Sequence, residues 1–262
     1  MEKDALKDLL ETLHDKYNNA DFIENDPVSI PHNFGTKENI EISGFFASTV
    51  AWGNRKAIVK SAMQMMSYMD NQPYDFITTA SENEIQQLST YVYRTFNGQD
   101  FMYFVRALRQ FCMKFESLGK FFEQEFINSQ DIRIVLSRFR SHFFEIQHDK
   151  HCEKHLSSID RGAACKRLNM YLRWMVRSDR RGVDFGLWKN IPMSALYLPL
   201  DVHSGNMGRA FGLLARKQND WKAVEEITQN LRKFDAADPV RFDFALFGAG
   251  INQLKINVDN LL

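Results

Sequence analysis

Two residues carry the clearest chemical potential in the chain: Lys166, within ACKRLNMYLRWMV, and Asp201, within LPLDVHSGNMGR. An amine is a nucleophile only when neutral, so a reactive lysine needs burial or neighbouring cations that lower its pKa, and Arg167 is the adjacent cation here. Asp201 follows Leu198, Pro199 and Leu200. A carboxylate opening a helix meets free N–H groups and the positive end of the helix dipole, which favour its negative charge. An amine and a carboxylate set in this way suggest a reactive pair. Spacing alone does not bring the two together: read locally, Lys166 is a solvent-facing lysine and Asp201 caps a helix beginning near Val202.

The elements that must position them read as helices. Leu6, Leu9, Leu10, Leu13 and Tyr17 recur at spacings of three and four, the pattern of an amphipathic helix. Asp26-Pro27 and Pro31 then make residues 18–35 a mainly irregular connection. Thr36 is placed to cap a core helix, Trp52-Gly53-Asn54 to end it, and Asn54 to cap the next. Ser81 and Glu84 fit a capping box for a helix over about 82–93. Phe-rich residues 99–127 predict two helices joined near Ser117-Leu118-Gly119, Asp131 caps another, Asp220 a further one, and Asp238-Pro239 opens the last. No run of alternating β-branched residues is present, so the expected fold is all-α with about ten helices. Residues 1–262 form one helical unit or two packed lobes, about 36–150 against 1–35 plus 151–262.

The balance of 33 Lys and Arg against 33 Asp and Glu argues against a broadly basic protein. Distribution says more than the sum. Residues 1–50 hold ten acidic and four basic side chains, whereas 161–190 hold eight basic and two acidic ones. That excess is mostly arginine, the residue suited to phosphate recognition. Three cysteines at irregular spacing make neither a disulfide framework nor a four-thiolate cluster, and predict a reducing, cytoplasmic setting. No apolar run is long enough for a membrane span. His148, His151 and His155, with Cys152, fall on one helical face with metal-ligand spacing, but the connector around them is charged and no fourth ligand is evident, so no metal is expected.

The phrase LPLDVHSGNMGR resembles the segment after the hairpin in DNA glycosylases of the helix-hairpin-helix superfamily, and ACKRLNMYLRWMV resembles the lysine-bearing helix of their 8-oxoguanine members, particularly the archaeal type. EISGFFASTVAWGNRKAI is similar to an early core helix of that fold, and DPVRFDFALFGAGI to its closing helix. The combination also looks like a bacterial family of uncharacterised proteins of this size. The resemblance implies a two-lobed glycosylase-like fold, Lys166 as the amine that attacks C1′ of a flipped nucleotide, and Asp201 as the carboxylate that assists it. It implies base-excision repair of DNA, or a related action on RNA, without a cofactor.

In that setting Trp52, ahead of Trp174 and Trp188, is the candidate for stacking on the base, with Asn54 and Arg55 beside it. Arg161, Gly162, Arg167, Arg173, His203 and Arg209 are the candidates for backbone and phosphate contact. The hairpin itself departs from the pattern: LSSIDRGAAC lacks the usual proline and keeps only Gly162. The alternatives are a non-catalytic nucleic-acid-binding protein on the same scaffold, a helical interaction protein using the Phe-rich middle, and a metal-dependent hydrolase using the histidines.

Overall fold

The computed structural model describes residues 3–251. Helices α1 (Lys3–Tyr17), α2 (Asp21–Glu24), α3 (Lys37–Thr49), α4 (Arg55–Tyr68), α5 (Pro73–Thr79) and α6 (Glu82–Gln87) are followed by strands β1 (Val92–Tyr93) and β2 (Phe96–Asn97). Then come α7 (Gly98–Phe115), α8 (Leu118–Ser129), α9 (Ile132–Phe143) and α10 (Lys150–Glu153). The chain continues through α11 (Lys166–Val176), α12 (Val202–Ala210), α13 (Trp221–Arg232) and α14 (Asp243–Ile251). The fold is predominantly helical, and no helix among the described residues is long and apolar enough to cross a membrane.

Local capping accounts for many helix starts. Asn54 accepts from the Ala57 N–H, Asp131 from Arg133, Asp220 from Ala223, and Ser81 and Glu84 close a reciprocal capping box. Three local expectations are corrected. Thr36 precedes α3 but its side chain makes no capping hydrogen bond. The helix expected over 82–93 stops at Gln87, passes through a tight turn at Leu88–Thr90, and gives way to an antiparallel ribbon pairing Val92 with Asn97 and Tyr93 with Phe96. Asp238 does not cap the segment it opens; its Oδ2 accepts from Arg177 at 2.8 Å.

The chain divides into two compact units. One comprises residues 23–158 with 187–191, in which α3 packs on α4, α5 and α8, and α7 on α5, α8 and α9. Its core is the phenylalanine cluster expected from the sequence: Phe45, Phe46, Phe101, Phe104, Phe121, Phe122, Phe139 and Phe143 are all buried. Ring pairs such as Phe104–Phe143 and Phe122–Phe139, at 4.8 Å between centroids, contribute beyond simple burial. Among the described residues, the other unit comprises 3–22, 159–186 and 192–251. Here the apolar α14 is packed against α1 and α12, and Gly248 permits the approach of Tyr17, whose ring would lie 2.3 Å from any added Cβ.

Within the first unit, Glu41 of α3 is buried yet fully used. Its Oε1 accepts from the Trp188 indole N–H at 2.8 Å and its Oε2 from the Gly119 N–H at 3.1 Å. Burial pushes this carboxyl above the ordinary carboxylate range even though both donors oppose the shift. Trp188 also stacks on Phe122 at 4.8 Å, so residues 187–191 are anchored by one indole. A Cβ at position 119 would lie 2.3 Å from Glu41 Oε1 and 2.6 Å from Trp188 Nε1. Gly119→Ala should therefore cost about 2–4 kcal/mol through overpacking and a broken buried hydrogen bond. Urea unfolding followed by tryptophan fluorescence checks this, with Gly35→Ala, whose Cβ would meet nothing within 4 Å, as the neutral comparison.

Candidate functional site

The unit containing α1 and α11–α14 holds both Lys166 and Asp201. Lys166 is the first residue of α11, reached through a turn closed by the Gly162 N–H donating to Ile159 C=O at 2.8 Å. Gly162 at φ +79° and Cys165 at φ +48° both adopt left-handed backbone here. The loop is pinned to the start of α13, where the Trp221 N–H donates to Gly162 C=O at 2.9 Å and Ala163 bridges Asp220. The Lys166 side chain is half-buried, and its amine makes no hydrogen bond or ion pair among the described residues.

Asp201 opens α12 as the sequence suggests. Its Oδ1 accepts from the Ser204 N–H at 2.9 Å, while Ser204 Oγ accepts from the Asp201 N–H at 3.0 Å. Asn219 donates to the Asp201 carbonyl at 3.0 Å and fixes the turn from outside the helix. Oδ2 has no hydrogen-bond partner among the described residues. One oxygen holds the helix and the other is left over.

What joins the two is Asp243, the buried first residue of α14, which sequence reading did not single out. Burial raises its carboxyl to about 6; Arg173 opposes that shift, the Asp201 charge adds to it, and the Lys166 charge opposes it. Lys166 and Asp201, 35 positions apart in sequence, thus lie within electrostatic reach of one buried acid.

Beneath this group is an ionic cluster. Arg173 pairs with Asp243 at 2.5 Å and with Asp184 at 3.3 Å. Arg177, one turn on, pairs with Asp184 at 3.0 Å, Asp238 at 2.8 Å and Asp179 at 2.8 Å. Both guanidinium groups lie over the Phe244 ring, at 4.3 and 5.4 Å. Burial works against the Arg177 charge, but Asp184, Asp238 and Asp179 outweigh it and push the pKa up.

The family comparison covers most of the chain. The sequence model of DUF2400, a protein family of unknown function, matches residues 26–252. The chain belongs to the DUF2400 family. No curated protein and no solved structure matches it.

The remaining candidates divide by what their side chains already do. Arg173 is corrected: buried in the ionic cluster, it is not presented for phosphate contact. Arg209 is committed to its own loop, donating to the carbonyls of Arg216 and Lys217 at 2.9 and 2.8 Å and to Asn219 Oδ1 at 2.6 Å. Arg167 is half-buried, and desolvation lowers its pKa to about 10. Arg161 and Gly162 are exposed on the turn before α11, and His203 is exposed on α12 with its ring edge-on to Phe247.

Trp52, Asn54 and Arg55 belong to the other unit. There Trp52 stacks on His155 at 5.8 Å and its carbonyl accepts from Tyr93 Oη, Asn54 caps α4, and Arg55 lies 3.8 Å from Asp26. Trp174 and Trp188 are fully buried, which removes them as stacking platforms.

Two outcomes test this arrangement. Arg177→Ala leaves buried carboxylates uncompensated and should cost about 3–5 kcal/mol in urea unfolding, whereas Arg161→Ala should be neutral. A carboxyl whose folded pKa is raised stabilises the fold fully below about pH 4 and loses that contribution as pH climbs through its folded value of about 6. Relative to Asp243→Asn, the wild-type chain should lose about 2–3 kcal/mol between pH 4 and 7. A wild-type advantage that grows with pH would contradict the raised Asp243.

Proposed function

We propose that this chain is a DNA base-excision glycosylase of the helix-hairpin-helix type, two-lobed and bifunctional, with Lys166 as nucleophile and Asp201 as the assisting carboxylate. The observation that carries the proposal is that the Lys166 amine and Asp201 Oδ2 lack partners among the described residues while both charges act on Asp243. Elsewhere in this unit several buried or half-buried charges are paired, as in Arg177 with Asp184 and Arg241 with Asp235. An amine and a carboxylate oxygen without partners among the described residues, beside an arginine–aspartate cluster, suit a substrate more than a scaffold.

In this reading the flipped base leaves with the electron pair of its glycosidic bond, and positive charge develops at C1′. Asp201 Oδ2 stabilises that charge, and the neutral Lys166 amine bonds to C1′. Opening of the sugar ring, with an amine proton passing to the ring oxygen, gives a Schiff base. Loss of the C2′ proton then expels the 3′ phosphate by β-elimination. Asp243 is a positioning residue: tied to Arg173, it sets the field in which the other two charges stand.

Borohydride reduction in the presence of duplexes bearing an abasic site or assorted damaged bases tests the proposal. A covalent adduct is expected for the wild type and none for Lys166→Ala. Asp201→Asn should slow adduct formation by about 10²–10³-fold, the scale of losing one electrostatic stabiliser. Equal adduct from Lys166→Ala rejects the assignment. Salt-sensitive nucleic-acid binding that survives Asp201→Asn without any product points instead to a non-catalytic binding protein.

A further inference from the structure

The histidines of the 148–155 connector are placed differently from their sequence spacing. His148 turns away: its Nδ1 lies 2.8 Å from the Ile146 carbonyl and its ring packs on Phe144 and Tyr103. His151 and His155 instead converge on a residue far upstream, Asp100 of α7. Asp100 is fully buried, and both of its oxygens are engaged. Oδ1 accepts from His151 Nδ1 at 2.8 Å; Oδ2 accepts from His155 Nε2 at 3.1 Å and from the Asn97 N–H at 2.9 Å. Cys152, between the two histidines in sequence, is buried, but its sulfur is not among the ligand atoms that converge here.

We propose that Asp100, His151 and His155 form a three-ligand site for one divalent transition metal, zinc above all. The donor set is one carboxylate oxygen and two imidazoles, a combination that holds zinc with a fourth position open. The three donors lie within 4.8 Å of one another. Bond lengths of about 2.0–2.2 Å require neighbouring donors about 3.3–3.6 Å apart, so small side-chain rotations suffice.

The local backbone prepares the set. Asp149 caps α10 through the His151 N–H at 2.9 Å, and the His155 N–H donates to the Cys152 carbonyl at 3.1 Å, which holds His151, Cys152 and His155 in one turn. Trp52 stacked at 5.8 Å and Phe96 edge-on at 4.9 Å fix the His155 ring, while His151, with 38% of its side chain exposed, provides access for the ion. On binding, the ion takes the places of the protons shared between Asp100 and the two imidazoles, so affinity rises with pH. Lys154, exposed and 2.6 Å from His151 Nε2, turns to solvent as that nitrogen becomes the protonated one. The three ligands tie the connector after α9 to the start of α7, and the site does not depend on the proposed glycosylase activity.

The test uses full-length protein without a histidine tag, stripped of metal and titrated with cobalt(II). The expected result is one equivalent bound, with the intense visible absorption of four-coordinate cobalt, three ligands coming from the protein and one from solvent. His151→Gln, which alters the most exposed ligand, should weaken binding at least about 100-fold, more than outer-shell changes do, while retaining the wild-type melting temperature in chelator. Absence of cobalt binding, or binding unchanged in His151→Gln, overturns the site.

Discussion

Two arginines four positions apart, Arg173 on α11 and Arg177 at its C-terminal cap, are buried, and the rest of their unit is arranged to keep them charged. Desolvating a guanidinium costs several kcal/mol per ion, so each needs carboxylates at close range. Those come from three separate segments: Asp184 after α11, Asp238 before the tight turn at 239–242, and Asp243 at the head of α14. Phe244 underlies both guanidinium groups. A register slip of α11 would strand several charges at once. The cluster therefore fixes α11 along its axis and, with it, where Lys166 at the opposite end emerges.

The same constraint explains which parts of the molecule were legible in the sequence. Caps at Asn54, Ser81, Asp131, Asp201 and Asp220 involve partners two or three residues away, so residue type and spacing determine them. The phenylalanine core was legible because apolar density has one economical fate. The ionic cluster was not: its partners are up to 70 positions apart, and nothing local marks Asp243 as the acid that meets Arg173. Asp238 shows the competition directly, since proline after it reads as a helix start while Arg177 takes its carboxylate. The arginine-rich stretch read as a surface for phosphate because charge was counted without burial. Two of its arginines, Arg173 and Arg177, are instead buried along with Tyr171, Trp174 and Val176.

Asp201 shows how one residue can serve fold and chemistry together. A carboxylate has two oxygens, and the capping box uses one, leaving the second without altering the helix start. Serine or asparagine in its place would cap nearly as well and leave no negative oxygen. The same division appears in the other unit at Asp100, where the capping-box acid of α7 also meets two histidines. In both, helix capping orders an acid whose remaining capacity is directed elsewhere.

The corrected charge map also limits how this protein can hold a polyanion. Of the basic residues in 159–186, Arg173 and Arg177 are neutralised internally, and Arg181 pairs with Asp15. Arg161 and Arg180 are exposed, and Lys166 and Arg167 are half-buried. This stretch therefore offers few free cations rather than the broad basic face that its composition suggests. Because each neutralised phosphate adds separately to the salt dependence of polyanion binding, a small number of contacts means weak non-specific attraction to this stretch.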